Sequence, residues 1–174
     1  MNFPSTYIQR NFQHFYHFKK DEKENLDQYL YLHPNSIVVI GLTETHQIFK
    51  SKLENFTISF PILKSEKQNF KQKNKKKKNE KLFVTPETII CEIKLSNEKT
   101  IPIFSLVYGT LCERNENLIK NPNLLIEDPY EKGFIGIILL RKEKHLDSKQ
   151  NFQLEKGTNF FTEKEFEEYK LNIK

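Results

Sequence analysis

Nine lysines and two glutamates fall between Lys64 and Lys81, a local charge of +7 in a chain of net +5, so the remainder carries −2 (5 − 7). Lys71, Lys73, Lys75, Lys76, Lys77, Lys78 and Lys81 form its densest part. Ammonium groups at that density attract anionic surfaces over several ångströms, and salt screens the attraction. Three readings stay open. Four successive lysines, Lys75 to Lys78, suit a nuclear-import receptor. The run could also steer an acidic partner such as nucleic acid, anionic lipid or an acidic protein. Or it is a low-complexity insertion, since Lys and Asn dominate its surroundings. Phe70 is the only large apolar residue there, so the interleaved aromatics that stack on bases are missing.

Other chemistry-bearing residues are scattered. The five histidines stand at 14, 17, 33, 46 and 145, and neither CxxC nor HExxH occurs. His14 and His17 would share one face of a helix and could hold a metal weakly; the plainer reading makes them polar residues of an aromatic segment. Cys91 and Cys112 lie in strand-like runs, where a free cysteine packs as a small apolar side chain. The five glycines are dispersed, so no phosphate-binding loop is present. Glu127-Asp128 sits beside turn formers and reads as solvated. These observations predict no catalytic residue, no cofactor site and no metal site.

The elements that must position these residues are read from composition and period. At 174 residues, with 37% hydrophobic and 15 Phe, the chain can build one core. No apolar run approaches the ~18 residues of a membrane span, and the mean hydropathy is −0.67. The N-terminal residues lack the basic-then-apolar pattern of a secretory signal. Two cysteines imply no disulfide framework, which points to a reducing compartment, cytosol or nucleus.

Residues 1–20 read as an aromatic-basic arm, helical or irregular, because Tyr7 and Ile8 precede Phe12 at helical spacing. Residues 21–174 read as one β-rich domain, interrupted by a disordered Lys-rich loop over 64–81. Strands are expected over 28–33, 36–42, 53–61, 87–95, 100–104, 106–114 and 133–141, with hairpins across Pro34-Asn35 and Ser96-Asn97-Glu98. A helical turn capped by Thr43 is expected before Phe49. Thr162 and Glu165 stand at capping-box spacing, opening a last helix with Phe166 and Tyr169 on its apolar stripe. The total is about seven strands and little helix, an antiparallel sandwich or barrel.

The order Gly109-Thr-Leu-Cys-Glu113-Arg-Asn115-Glu-Asn117, then Pro122, Asp128-Pro129-Tyr130 and Gly133-Phe134, resembles the end of the lipoyl-carrying H protein of the glycine cleavage system. The resemblance implies a mainly β barrel-sandwich hybrid with a short N-terminal helical arm and a C-terminal helix. It assigns structural roles to Gly109, Glu113, Asn115, Asn117, Pro122 and Gly133. Two departures stand out. Phe134 replaces the family's tryptophan, and Glu98 occupies the place of the carrier lysine, with Lys99 beside it.

A longer series also includes Tyr7-Ile-Gln-Arg10-Asn-Phe12, Ile37-Val-Val-Ile-Gly-Leu-Thr-Glu44-Thr-His46, Gly133-Phe-Ile-Gly-Ile-Ile-Leu-Leu140 and Phe166-Glu-Glu-Tyr169. In that order and spacing the chain resembles the Abitram (Simiate) family of actin-binding transcription modulators. The resemblance implies a non-enzymatic protein of nucleus and cytoplasm that binds monomeric and filamentous actin. A lipoyl-carrier-like protein that has lost its lysine and serves as a protein- or nucleic-acid-binding adaptor is the alternative.

Overall fold

The computed structural model describes residues 10–18, 25–50, 55–63, 82–141 and 160–172. The Lys-rich segment 64–81, with the seven lysines singled out in it, lies outside these residues, as does the polar stretch 142–159.

Two hairpins form where turn chemistry and β-branched runs predict them. β2 (Gln28–Leu32) and β3 (Ile37–Leu42) are joined through Pro34-Asn35, and Asn35 Oδ1 accepts from the Ile37 N–H at 3.2 Å. This is the local side-chain turn that suits asparagine here. β6 (Ile89–Leu95) and β7 (Thr100–Phe104) close around Ser96-Asn97-Glu98-Lys99, where Glu98 takes φ of 65°.

The remaining elements are β1 (Gln13–His17), α1 (Gln47–Lys50), β4 (Phe56–Ser59), β5 (Leu82–Val84), β8 (Gly109–Arg114), α2 (Asn117–Lys120), α3 (Leu124–Glu127), β9 (Gly136–Leu140), β10 (Phe161–Thr162) and α4 (Glu163–Asn172). One seven-stranded sheet runs β10-β1-β2-β3-β9-β8-β5, a second runs β4-β6-β7, and all pairings are antiparallel.

Inward positions of both sheets alternate with period two, as Leu30, Val38, Ile40 and Ile138 do against Ile93 and Ile103. Gln28 ties the sheets together: its Nε2 donates to the Phe104 carbonyl at 2.9 Å and its Oε1 accepts from the Phe104 N–H at 3.2 Å. A buried amide that imitates a strand partner satisfies an edge of the smaller sheet without a further strand.

The arm read over 1–20 is described only at 10–18, so Tyr7 and Ile8 lie outside the described residues, and its second half is a strand. Among the described residues, helical geometry covers only 10–11, and Gln13–His17 is a strand between β2 and β10. Both faces of β1 are covered. Phe15 packs on the main core, while Tyr16 enters a second, aromatic cluster. Strand geometry also separates His14 from His17, since residues three apart point to opposite faces. His14 stacks on Tyr31 at 4.2 Å and His17 tilts against Phe160 at 5.9 Å.

That second cluster lies on the outer face of the large sheet. α4 covers Tyr16, Phe18, Tyr29 and Tyr31 with Phe166 and Tyr169. Phe166 stacks on Tyr16 at 4.2 Å and 6°, and Phe18 on Tyr169 at 4.0 Å. The capping box forms as the sequence predicts. Glu165 Oε2 accepts from the Thr162 N–H at 2.8 Å, and the Glu165 N–H reaches Thr162 Oγ1 at 3.4 Å.

Candidate functional site

The loop between β8 and β9 carries the motif. It is stapled by Asn115, whose buried Nδ2 donates to the Lys132 and Phe134 carbonyls, both at 2.7 Å. The Asn115 N–H adds a third bond, to the Ile135 carbonyl at 3.0 Å. One planar amide thus closes a loop of about twenty residues, a job that needs two N–H donors on a short stem.

Gly133 sits where a Cβ would meet the Leu124 carbonyl oxygen at 2.4 Å, and Gly109 where it would meet the Leu139 oxygen at 2.4 Å. Both are close backbone approaches that only glycine permits. Pro122 opens the turn before α3, its carbonyl accepting from Leu125 N–H at 3.0 Å. Asn117 begins α2, with its side chain exposed, and Glu113 is exposed beside the β8 bulge. Gly109, Asn115 and Gly133 therefore build the scaffold, and Glu113 and Asn117 face solvent.

The loop docks on the sheet through tyrosines. Tyr29 Oη donates to the Pro129 carbonyl at 2.7 Å, and Tyr130 Oη donates to Glu44 Oε2. The other oxygen of Glu44 accepts from Lys170 Nζ at 2.8 Å, and Lys170 also pairs with Glu167 at 2.6 Å. Burial acts to raise the Glu44 carboxyl, but the Lys170 and Tyr130 hydrogen bonds outweigh it and hold it below the usual carboxylate range. Burial raises the phenols: Tyr16 is pushed up to about 12, and Tyr29, Tyr31 and Tyr130 move further in the same direction. These are structural tyrosines held neutral, unsuited to proton transfer near neutrality.

A buried polar knot lies beneath. Asp27 Oδ2 accepts from Thr45 Oγ1 at 2.6 Å and from Tyr169 Oη at 3.3 Å, and the Thr43 and Thr45 hydroxyls share a bond at 2.8 Å. Thr43 is thereby committed to the knot, and the cap of α1 is His46, whose Nδ1 accepts from the Ile48 N–H at 3.2 Å. Burial drives the His46 pKa down to about 3, so the ring is neutral. The long-range bonds of this knot leave no trace in local sequence, because Asp27 stands 18 residues from Thr45 and 142 from Tyr169.

The cysteines part company. Cys91 is buried on β6 with its thiol pushed up to about 12 by desolvation, whereas Cys112 is exposed on β8. The expectation that both are buried fails at Cys112, which has the outward parity of its strand. Among the described residues no group of three His, Cys, Asp or Glu side chains could hold a metal. No described helix is long and apolar enough to cross a membrane.

Comparison with known proteins fits this geometry. Residues 90–164 match the family model "Glycine cleavage H-protein". The crystal structure of a glycine cleavage system H protein from Mycobacterium marinum superposes with a TM-score of 0.54 at 12% identity, covering 90% of this chain and 95% of that one. The fold is thus the barrel-sandwich hybrid of H proteins. In sequence, the chain is 30% identical to Protein Abitram of Xenopus tropicalis over 144 residues, which is 83% of this chain and 78% of the relative. It is 31% identical to Protein Abitram of Danio rerio over 137 residues, with 79% and 77% covered.

The chain belongs to the Abitram family.

Within that family setting, the β6–β7 hairpin acquires meaning. It is the turn on which the resemblance to H protein would place a carrier lysine, and Glu98 stands there in left-handed geometry with Lys99 beside it. All of Ser96, Asn97, Glu98 and Lys99 are exposed. A carboxylate cannot form the amide that tethers a lipoyl group.

Proposed function

We propose that this chain is a non-enzymatic protein-binding module that engages actin, monomeric and filamentous, and acts in both cytoplasm and nucleus on transcription-linked processes. The observation that carries the reading is family membership, and the resemblance that sets Glu98 where H proteins would carry a lysine supports it. An H-protein scaffold without its lysine is left with its surfaces, and surfaces serve by binding. Tyrosines held neutral by burial and a deeply buried Cys91 thiol support the same view, since these groups are parts of the core.

The +7 segment supplies long-range attraction toward an acidic partner while the body supplies shape. The same lysines serve nuclear entry if an import receptor reads Lys75–Lys78. Pyrene-actin assembly in the presence of increasing amounts of the chain tests the proposal. A dose-dependent change in nucleation or elongation is expected, and unchanged assembly at every ratio would overturn the actin reading. The adaptor alternative then predicts salt-steep, sequence-independent retention of nucleic acid that is lost on removing residues 64–81.

A further inference from the structure

The outer face of β1 and β2 carries Tyr16, Phe18, Tyr29 and Tyr31 under a roof of two parts. α4 is one: Phe166 stacks on Tyr16 and Tyr169 on Phe18. The Pro129–Tyr130 segment of the β8–β9 loop is the other. The Tyr130 ring lies 5.3 Å from Tyr29 and 6.2 Å from Tyr31, and Tyr29 Oη donates to the Pro129 carbonyl. Glu44 meets both parts. One carboxylate oxygen accepts from Tyr130 Oη and the other from Lys170 Nζ at 2.8 Å. The backbone on either side of Glu44 is anchored. Thr43 Oγ1 donates to the Asp27 carbonyl at 3.3 Å, Thr45 Oγ1 to the Asp27 carboxylate at 2.6 Å, and the His46 N–H to the Thr43 carbonyl at 3.0 Å. Thr43, Thr45 and His46 are buried while Glu44 is exposed, so the carboxylate projects from a fixed turn.

We propose that Glu44 couples the two parts of this roof, so that release of α4 loosens the Tyr130 segment and release of that segment loosens α4. The rotamer freedom lost in fixing the Glu44 side chain serves two bonds at once, and when one donor leaves, the other must hold the carboxylate alone. Sharing one negative charge between two donors works the other way, but water screens that effect at a group so exposed. Coupling between two equilibria is reciprocal. Its size is that of a partly exposed ion pair, a factor of about three in opening. Joint release uncovers Tyr16, Phe18, Tyr29 and Tyr31 as one aromatic face, which release of either part alone leaves half covered. The rings offer a rival route, since Tyr31 lies against Tyr130 and hydrogen-bonds Tyr16 beneath Phe166. Every contact in the device is internal to the chain, so it stands or falls apart from the actin reading.

Residue-resolved hydrogen exchange of the full chain is the test. The reporters are the amides of residues 167–172 in α4 and that of Gly133, whose N–H closes the turn around Tyr130 by bonding the Asp128 carbonyl at 2.7 Å. Ile93 and Ile103, buried on β6 and β7, report on the core. In the wild type α4 should exchange faster than the core, as a part that opens by itself. Tyr130→Phe keeps the ring and removes only the hydroxyl, and it should speed exchange in α4 about threefold. Lys170→Met should speed exchange at Gly133 by a similar factor, and high salt should shrink the difference between that variant and the wild type. In a Glu44→Ala background both remote effects should vanish. Core rates equal to the wild type's establish that the variants fold. Effects confined to the mutated element overturn the proposal. Remote effects that survive in the Glu44→Ala background overturn it too and leave the rings as the route. Exchange of α4 at the core rate also overturns it, because the roof would then open only when the whole chain unfolds.

Discussion

His46 offers a quantitative test of the buried polar knot. Its ring is fully buried, and its pKa falls to about 3 in the fold against 6.5 for the free side chain. A depressed histidine pKa means that the unfolded chain binds the proton first. Stability is therefore complete above pH 6.5 and declines as pH falls, until the folded ring titrates near 3. Well inside that window each pH unit costs about 1.4 kcal/mol, and less near 6.5, so a fall from pH 6.5 to 4.5 costs roughly 2 kcal/mol from this residue alone. Glu44, whose carboxyl is lowered, acts in the same sense at lower pH, so a control is needed. His46→Asn keeps an acceptor for the Ile48 N–H and removes the titration. Urea denaturation of both proteins at several pH values gives the double difference. The wild type should lose roughly 2 kcal/mol more than the variant between pH 6.5 and 4.5. Parallel pH dependences would refute the claim that a neutral, dry histidine caps α1.

Three further substitutions probe the frame. Asn115→Ala removes two hydrogen bonds and orphans the Lys132 and Phe134 carbonyls, which should cost about 2–4 kcal/mol in denaturant melts. Gly109→Ala drives a Cβ into the Leu139 backbone oxygen and should lower the melting temperature well beyond an ordinary surface change. Phe166→Ala empties the stack under α4 and should cost about 3–5 kcal/mol, read as accelerated hydrogen exchange of the helix and of β10 before the rest.

Hairpins and caps were legible in the sequence because they depend on residues a few positions apart. Pro34-Asn35, the Ser96–Lys99 turn and Thr162–Glu165 all form where their chemistry predicts. Seven strands were legible and the described residues form ten, and the extra three explain why. β5 and β10 have three and two residues, too short to show a period, and β1 sends one aromatic ring to each face, Phe15 and Tyr16, so no apolar–polar alternation shows. Each is a strand only because a distant partner pairs with it. The Glu98 replacement was legible only through the resemblance to H proteins. The latch of Glu44 with Tyr130 and Lys170 joins residues 86 and 126 positions apart, which no local pattern encodes. Outward-facing Leu139 was hidden within the unbroken apolar run Phe134–Leu140, where inner and outer faces read alike.

Actin co-sedimentation at low and moderate salt, with the intact chain and with a version lacking residues 64–81, bears most directly on the claim that a carrier scaffold has become a protein-binding one. Pelleting of both versions with filaments, weaker but persistent without the basic segment, is the predicted result. Pelleting by neither, or only by the intact chain and abolished by salt, would contradict it and leave the lysines as a generic polycation.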